Sequence, residues 1–233
     1  MGLTTRRQFV RQTALTAAVL YWHPIKALAG TRWILEGREQ NAVPLDPAAI
    51  RKLTSEVSGH VITPGASDYE SARLVFNRAF DRRPALIVRC ADAPDVARAL
   101  EFAQNQNLPL AVRGGGHNRL GFGVCDGGVV IDLSGLNRVE VDTNKRVARA
   151  EAGTLVRDLD NATQRFGLAT TSGGCPTVGI AGLTLGGGEG LLMSKCGAAC
   201  DNLIRAQMVT VDGRQVKASQ NSNPDLFWAI RGG

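Results

Sequence analysis

The sequence is poor in aromatic residues, which make up only 5% of its 233 residues. Bases of single-stranded nucleic acids stack on aromatic side chains, so this scarcity argues against a nucleic-acid partner. The sequence also lacks a G-x-x-x-x-G-K-[ST] motif, which leaves a P-loop kinase or ATPase unsupported. No G-x-G-x-x-G motif follows an apolar strand and opens a helix, so a Rossmann dinucleotide site is unsupported as well.

Acidic residues are missing from the first 29 residues of the chain. The basic residues of this segment are Arg6, Arg7, Arg11 and Lys26. Since the net charge of the whole chain is +6, the remainder carries only +2. The positive charge is therefore concentrated at the amino terminus and does not indicate nucleic-acid binding.

Residues 1–29 are predicted to be a twin-arginine signal peptide. Arg6 and Arg7 precede a short apolar stretch at residues 13–22, and Ala27-Leu28-Ala29 offers small residues, Ala27 and Ala29, for a signal peptidase. The apolar stretch is shorter than the ~20 residues of a membrane span, so we expect no stable span. A membrane anchor and a basic helix on a membrane surface are the alternatives. The twin-arginine route carries folded proteins, commonly with a bound cofactor, to the periplasm or outside the cell.

Five cysteines are present, and export would expose them to an oxidising compartment. They are Cys90, Cys125, Cys175, Cys196 and Cys200. Because the count is odd, at least one has no partner within the chain, and the sequence does not rank the pairings of the others. Cys196 and Cys200 have no histidine or second cysteine pair at ligand spacing, so no metal site is expected.

Residues 30–83 are interpreted as a leader to the main domain, with helices at 48–56 and 69–80. In the second helix, Ala72, Phe76 and Ala79 would share one side. A strand at 85–88, a helix from Pro94 and a strand at 108–112 follow, which predicts one βαβ unit.

A glycine run follows the second strand of this unit. Three consecutive glycines, Gly114 to Gly116, stand between Arg113 and His117, and a strand at 129–133 comes after them. Glycine accepts positive φ and leaves room for a ligand beside the backbone, so such a loop can form an anion-binding nest.

A second glycine-rich segment spans residues 171–190, after short strands at 138–141 and 147–150 and a predicted helix at 155–166. The inward residues of that helix are predicted to be Leu155, Leu159, Ala162 and Phe166. In the glycine-rich segment the predicted core residues are Val178, Ile180, Leu183 and Leu185. A strand at 202–211 and a hairpin at Asp212-Gly213 follow. Two such loops, each entered from a strand, could enclose a long dianionic ligand such as a dinucleotide.

Five motifs occur in order along the chain. They are Arg113-Gly-Gly-Gly-His117-Asn118, Gly128-Val-Val-Ile-Asp132-Leu-Ser134, Gly173-Gly-Cys-Pro-Thr-Val-Gly179, Gly186-Gly-Gly-Glu-Gly190 and Asp225-Leu-Phe-Trp-Ala-Ile-Arg231-Gly-Gly233. Together they resemble the FAD-binding domain of the vanillyl-alcohol oxidase superfamily, specifically the berberine-bridge-enzyme-like FAD-linked oxidases. The resemblance runs from about Asp46 to the last residue.

The resemblance implies an α+β fold, a PCMH-type FAD-binding domain of two small α/β subdomains with FAD between them. It places that domain at residues 84–233, incomplete at its carboxyl end, with the substrate domain absent. The residues it assigns to FAD are Arg113, Gly114, Gly115, Gly116, His117, Asn118, Gly121, Cys175, Val178, Gly179, Gly182, Leu183, Gly187, Gly188, Gly190, Asn202 and Val211.

The resemblance also implies covalent flavin. His117 matches the histidine joined to the flavin 8α-methyl, and Cys175 matches the cysteine that some members join to flavin C6. A neutral imidazole and a thiolate are strong nucleophiles near neutral pH, which suits both residues to the task. Glu189 and Cys196 depart from the family pattern, since an apolar or aromatic residue and a tyrosine are usual there.

The implied activity is oxidation of a small molecule at an alcohol, sugar or C–H group by hydride transfer to the flavin, with oxygen as acceptor. The residues that choose the substrate would belong to a later half of the protein or to a second chain. The alternatives are an inactive flavin-binding remnant and a cell-wall precursor reductase of the same superfamily. The export signal, His117 and Cys175 disfavour the reductase.

Overall fold

The computed structural model describes residues 45–232, in which helices and strands alternate. The strands are β1 (His60–Ile62), β2 (Leu86–Arg89), β3 (Leu110–Arg113), β4 (Val129–Asp132), β5 (Val139–Asp142), β6 (Val147–Ala150), β7 (Arg205–Val209) and β8 (Gln215–Ser219). The α-helices are α1 (Pro47–Glu56), α2 (Tyr69–Ala72), α3 (Ala93–Asn105), α4 (Val156–Gln164), α5 (Ile180–Leu185), α6 (Met193–Cys196) and α7 (Pro224–Ala229), and a 3-10 turn spans Ala199–Asn202. The fold is α+β, as predicted.

The first part of the chain forms a four-stranded sheet in the order β1-β2-β4-β3. β1 is antiparallel to β2, whereas β4 is parallel to both β2 and β3. The predicted βαβ unit, β2-α3-β3, is present, but β4 lies between its two strands. Residues of β2 and β4 such as Ile87 and Val130 are completely buried, because layers cover both faces of the sheet.

Each face of this sheet has its own apolar core. On one face, α1 contributes Leu53 and α3 contributes Leu100. On the other face lie Tyr69, Val75 and Val124. The predicted boundary at residue 84 is therefore not a break in packing, since Leu53 and Tyr69 precede it and complete the cores.

The helix α3 is fixed by Asp95, whose side chain is fully buried. Burial raises the pKa of this carboxyl, but the N–H groups of Ala91, Ser58 and Gly59 and the nearby Arg98 outweigh it and hold the pKa below its ordinary value. The backbone donors lie 2.8–2.9 Å from the carboxylate oxygens. Asp95 thus ties the segment before β1 to the start of α3.

The second part of the chain contains two antiparallel hairpins, β5-β6 and β7-β8. The predicted Asp212-Gly213 turn joins β7 to β8, with Gly213 at a φ of 77°. The predicted helix at 155–166 is shorter, ending at Gln164, and Phe166 is 54% exposed rather than inward.

The predicted helix at 69–80 is wrong beyond Ala72, where α2 ends. The Arg73 side chain is buried and donates to Glu70, to Asp81 and to the carbonyl oxygen of Arg82. These contacts and the contacts of Phe76 described below draw the chain away from a helical path.

Two predictions concern segments that the structure does not describe or describes in part. The proposed signal peptide at residues 1–29 lies outside the described residues, as does the beginning of the leader. Within residues 45–232, no helix combines the length and apolar character needed to cross a bilayer.

Candidate functional site

The glycine run begins where β3 ends, at the carboxyl edge of the parallel strands, which is the usual side for ligands in such sheets. Gly116 has a φ of 71°, which favours glycine, and its carbonyl oxygen accepts from the N–H of Phe76 at 3.1 Å. The Arg113 side chain turns inward and pairs with the buried Asp132 at 3.1 Å. The aliphatic part of the Arg113 side chain lies beside Gly116 and Gly123, while its charged end pairs with Asp132.

The two glycine-rich loops cross at Gly115 and Gly179. A Cβ atom on Gly115 would lie 2.2 Å from the backbone nitrogen of Gly179, and a Cβ on Gly179 would lie 2.4 Å from that of Gly115. Only glycine at both positions permits this approach. The structure thus brings together the two loops that the sequence analysis paired.

The second loop is held by the start of α4. The N–H of Val156 donates to the carbonyl oxygen of Val178 at 2.9 Å, and the N–H of Ile180 donates to the carbonyl oxygen of Thr154 at 3.0 Å. The prediction that a strand leads into this loop is wrong. The chain enters the loop from the end of α4 and continues into α5. Its backbone pairing with residues 154–156 fixes the position of Cys175 and Thr177.

His117 and Cys175 lie on the same side of this crossing, joined by Thr177. The Nε2 atom of His117 is 2.9 Å from the Thr177 Oγ1 atom, and the Cys175 Sγ atom is 3.5 Å from the same oxygen. The imidazole also stacks on the ring of Phe76, with centroids 4.1 Å apart and an interplanar angle of 20°. The two predicted attachment residues are therefore neighbours.

The electrostatics of this cluster favour nucleophilic forms. Partial burial lowers the pKa of His117, so the imidazole is neutral at pH 7. Hydrogen bonds from the Thr177 side chain and from the backbone N–H groups of Thr177 and Val178 lower the pKa of the Cys175 thiol. By contrast, burial raises the pKa of Cys90 and of Cys125 to about 12, which keeps those thiols protonated.

All five cysteines lie within the described residues and all are free thiols. Disulfides, which the sequence left open, are thus not part of this structure. Among residues 45–232, no group of three or more His, Cys, Asp or Glu side chains is arranged to hold a metal ion.

The loop beyond His117 is ordered by Asn118. Its side-chain oxygen accepts from the N–H of Leu120 at 2.9 Å and from that of Phe122 at 3.2 Å. Gly121 follows with a φ of 70°, and a Cβ there would lie 2.4 Å from the ring of Phe80. Asn118 and Gly121 therefore shape the loop.

The segment from Gly182 to Gly190 forms a wall beside the second loop. Gly187 and Gly188 have φ values of 96° and 83°, and a Cβ on Gly190 would lie 2.8 Å from the nitrogen of Gly173. Leu183 packs against the positions of Gly173 and Gly188, whereas Gly182 has open space around it within α5.

The prediction that this segment contributes core residues is wrong. Val178, Ile180 and Leu183 are only half-buried, and Leu185 is 48% exposed. The reason is the short helix α5, which the sequence analysis did not predict and which turns one side of the segment outward.

Two assigned residues lie away from the His117 cluster. The Asn202 amide donates to the carbonyl oxygens of Cys196 and Ala198, and the Val211 carbonyl accepts from Gln104 on α3. No described contact joins either residue to the glycine run, so their assignment to FAD stays a prediction.

Glu189, one of the two departures from the family pattern, has an exposed side chain. Among the described residues, Glu189 takes part in no ion pair. The carboxylate thus points to solvent.

Two residues of the cluster, Phe76 and Thr177, were not predicted from the sequence. Phe76 was assigned to the apolar side of a helix that does not form, so nothing local indicated its contact with His117. Thr177 lies inside the Cys175-Pro-Thr-Val motif, and its place two residues after a nucleophilic cysteine was a signal that could have been used.

A cavity of about 610 Å³ lies on the other side of Gly114, between the β4–β5 connection and α4. Its lining includes Ser134, Arg157 and Arg165, but neither His117 nor Cys175. Nucleophilic side chains converge at the His117–Cys175 cluster and not in the cavity.

Comparison with known proteins identifies the family of the chain. The sequence model of a family described as "FAD binding domain" matches residues 84–219, more than half of the chain. The chain belongs to this FAD-binding family. A relative of the FAD-binding family, (R)-6-hydroxynicotine oxidase of Paenarthrobacter nicotinovorans, is 40% identical over 176 residues, which cover 76% of this chain and 38% of that protein.

Solved structures of the family have the same fold. BBE-like 1 of Physcomitrella patens is 33% identical with a TM-score of 0.75, covering 79% of this chain and 40% of that one. Glucooligosaccharide oxidase from Acremonium strictum is 30% identical with a TM-score of 0.73, covering 79% and 39%. That structure is described as containing a 6-S-cysteinyl, 8α-N1-histidyl FAD. The chain thus spans about two fifths of the length of these relatives, and its fold is the PCMH-type FAD-binding fold.

The residues present fit a flavin. A neutral imidazole and a thiol of lowered pKa face the same threonine, which suits two attachments to one ring. The crossing at Gly115 and Gly179 presents side-chain-free backbone next to both groups. Bare N–H groups beside a nucleophile pair are what a pyrophosphate and a reactive ring require.

Proposed function

We propose that this chain holds FAD covalently through His117 and, as a second attachment, through Cys175. The observation that carries the proposal is the convergence of both side chains on Thr177, at 2.9 Å and 3.5 Å from its hydroxyl oxygen. Two residues 58 positions apart in sequence have no structural need to share one exposed threonine. A ring that each can reach supplies the reason.

Attachment through His117 balances with dioxygen as oxidant. The neutral imidazole replaces one C–H bond of the flavin 8α-methyl with a C–N bond, and the imidazole N–H proton is released. Two electrons and two protons pass to dioxygen, which leaves as hydrogen peroxide. The Cys175 thiol would replace the C–H bond at flavin C6 with a C–S bond. Here too, two electrons and two protons would pass to dioxygen and give hydrogen peroxide.

The backbone of the glycine run is proposed to hold the pyrophosphate. Gly114, Gly115 and Gly116 carry no Cβ, and the crossing with Gly179 keeps the run in place. The segment Val178–Gly190 is proposed to support the ring and ribityl chain, with Asn202 and Val211 toward the adenine-ribose end.

The bound flavin would supply hydride acceptance, so the function proposed is that of the cofactor-holding part of an FAD-dependent oxidoreductase. The substrate is proposed to be a small molecule oxidised at an alcohol, sugar or C–H group, with oxygen as final acceptor. The similarity to (R)-6-hydroxynicotine oxidase and to carbohydrate oxidases supports this class. The parts that choose the substrate are proposed to lie outside residues 84–233 or on a second chain.

We also propose that residues 1–29 direct export by the twin-arginine route. Arg6 and Arg7 before a short apolar stretch support the proposal. Replacing both by lysine should leave the protein in the cytoplasm, whereas the wild-type chain should appear in the periplasm or medium. Equal export of both would refute it.

Covalent binding is tested with the full chain incubated with FAD and dioxygen, then precipitated with acid. Yellow, fluorescent flavin should remain on the wild-type pellet and be lost from His117→Ala. Peptide mapping should find the flavin on the peptide that contains His117. Colour that washes off the wild-type pellet while binding persists in neutral buffer would show noncovalent binding only.

The second candidate function is a flavin-binding module without turnover of its own. The chain covers only about two fifths of the length of each relative, which supports this second candidate. Flavin that is retained on the chain but is not reduced by candidate alcohols or amines would support this module, whereas reduction would support the oxidoreductase.

A further inference from the structure

We propose that Thr177 is a positioning residue that bridges His117 and Cys175 and presents the Nδ1 atom of His117 and the sulfur of Cys175 to the flavin as nucleophiles. The proposal deepens the function proposed above and rests on it. Neither the sequence motifs nor the relatives assign a role to this threonine.

The bridge follows from the capacity of one hydroxyl group. A threonine hydroxyl has one proton to donate, so when it bridges two neighbours it can donate to only one of them. The Thr177 oxygen contacts both the Nε2 atom of His117 and the sulfur of Cys175. The protonation of one neighbour is therefore linked to that of the other.

Two arrangements place the Thr177 proton inside the bridge; in a third, the Thr177 oxygen accepts from both neighbours and its own proton points elsewhere, which keeps the thiol protonated. In the first, the Nε2–H of His117 donates to Thr177, whose O–H donates to the sulfur of Cys175. In the second, the thiol donates to Thr177, whose O–H donates to Nε2, so the imidazole proton must lie on Nδ1. The first leaves a lone pair on Nδ1 and favours a thiolate, whereas the second makes both groups poor nucleophiles.

The surroundings of Cys175 select the first arrangement. The Thr177 hydroxyl oxygen lies 3.5 Å from the Cys175 sulfur, and hydrogen bonding to the Thr177 side chain is the largest cause of the lowered pKa of the thiol. A thiol is a weak donor, whereas a thiolate is a good acceptor. The sulfur is thus an acceptor, and Thr177 is left to accept from His117.

The frame around Thr177 is suited to holding this geometry. Its carbonyl oxygen would lie 3.0 Å from a Cβ at Gly115, which places Thr177 at the crossing of the loops. Phe76 stacks on the imidazole and fixes the plane of the ring. A rotation of the imidazole by 180° about its Cβ–Cγ bond would keep the plane of the ring but would put a carbon atom in place of Nε2. The hydrogen bond to Thr177 favours the orientation in which Nε2 faces the hydroxyl.

The test compares Thr177→Val, which removes the hydroxyl with little change of shape, with Thr177→Ser, which retains it. Thr143→Val, an exposed threonine in the β5–β6 turn, is the control. In the flavin-free full chain, alkylation of Cys175 by iodoacetamide at pH 7 should slow about 2- to 10-fold in Thr177→Val, the range expected for one ordinary hydrogen bond. Thr177→Ser and Thr143→Val should match the wild type.

A second measurement on the flavin-free chain is the tautomer of His117 by nitrogen-15 NMR, assigned by its loss in His117→Ala. The proton should lie on Nε2 in the wild type. A proton on Nδ1 would overturn the proposal whether or not the variants fold, and so would alkylation of Cys175 in Thr177→Val at the wild-type rate.

With FAD and dioxygen present, acid-stable flavin should form more slowly in Thr177→Val and recover in Thr177→Ser. The linkage atom should be Nδ1 in the wild type and a mixture of the two nitrogens in Thr177→Val. Exclusive Nε2 linkage in the wild type would overturn the proposal. If both flavin-free results hold but no flavin attaches to the wild type, the proposed function fails while the bridge stands.

Discussion

Gly115 and Gly179 are in backbone contact, so that neither residue has room for a Cβ atom. They are 64 positions apart in sequence, and each lies in the middle of a glycine-rich loop. Their contact is what brings His117, at the end of one loop, within reach of Thr177 in the other.

Replacing Gly115 by alanine should lower stability and weaken flavin binding. The new Cβ would meet backbone atoms that cannot move as a side chain can, so the loops must separate. Overpacking of this kind costs about 1–3 kcal/mol. Urea denaturation of the full chain measures the change. Gly174→Ala is the matched control, since that position has open space and no positive φ, and it should be neutral. Equal stability of the two variants would contradict the contact.

Replacing Phe76 by alanine should slow covalent attachment without unfolding the protein. A stacked aromatic pair contributes about 0.5–1.5 kcal/mol, and here its loss frees the His117 ring. The rate of formation of acid-stable flavin is the measurement. Phe166→Ala removes another exposed ring, beyond the end of α4, and should leave the rate unchanged. A rate in Phe76→Ala equal to that in Phe166→Ala would remove Phe76 from the site.

Replacing Asp132 by alanine should destabilise the protein strongly. Asp132 is buried and pairs with the buried Arg113, whose charge would be left without a partner. Breaking a buried pair costs about 3–5 kcal/mol. Lys52→Ala, which breaks the exposed pair of Lys52 and Glu56, should have little effect. If thermal or urea unfolding shows the two variants to be alike, the buried pair is not the anchor of β3 and β4.

Covalent attachment should depend on pH through His117. Partial burial lowers the pKa of this imidazole below its ordinary value of 6.5, so the neutral nucleophile persists below pH 6.5. The attachment rate should therefore be full above pH 6.5 and fall as the pH drops through the lowered pKa of His117. Stopped time courses at pH 5 to 8, precipitated with acid, give the profile. A midpoint above pH 6.5 would contradict the burial of the ring.

Several elements could be predicted from local sequence because the forces that make them are local. The runs of valine and isoleucine at β2 and β4 are buried on both faces, and such runs form strands wherever a core is available. Asp46 and Asp92 cap the starts of α1 and α3, where their side chains accept from N–H groups of the first turn, and each first turn contains a proline. The glycine run and its neighbour His117 were likewise visible from residue type alone.

The helix predicted beyond Ala72 failed for a reason that sequence could not supply. Phe76 donates its N–H to Gly116 and stacks on His117, both of which are about 40 positions away. The apolar spacing of residues 72–79 is compatible both with a helix and with an irregular segment whose apolar side chains make tertiary contacts. Which one forms depends on where the glycine loop lies.

The sequence by itself determined the two glycine-rich loops and the nucleophilic side chains of His117 and Cys175, because side-chain chemistry and backbone freedom belong to each residue. The α+β class and the flavin came from the resemblance carried by its motifs. Only the tertiary structure decided that β4 lies between β2 and β3, that the loops cross at Gly115 and Gly179, and that Thr177 joins His117 to Cys175. These relationships depend on contacts between distant segments, and such contacts form only when burial of a common core brings the segments together.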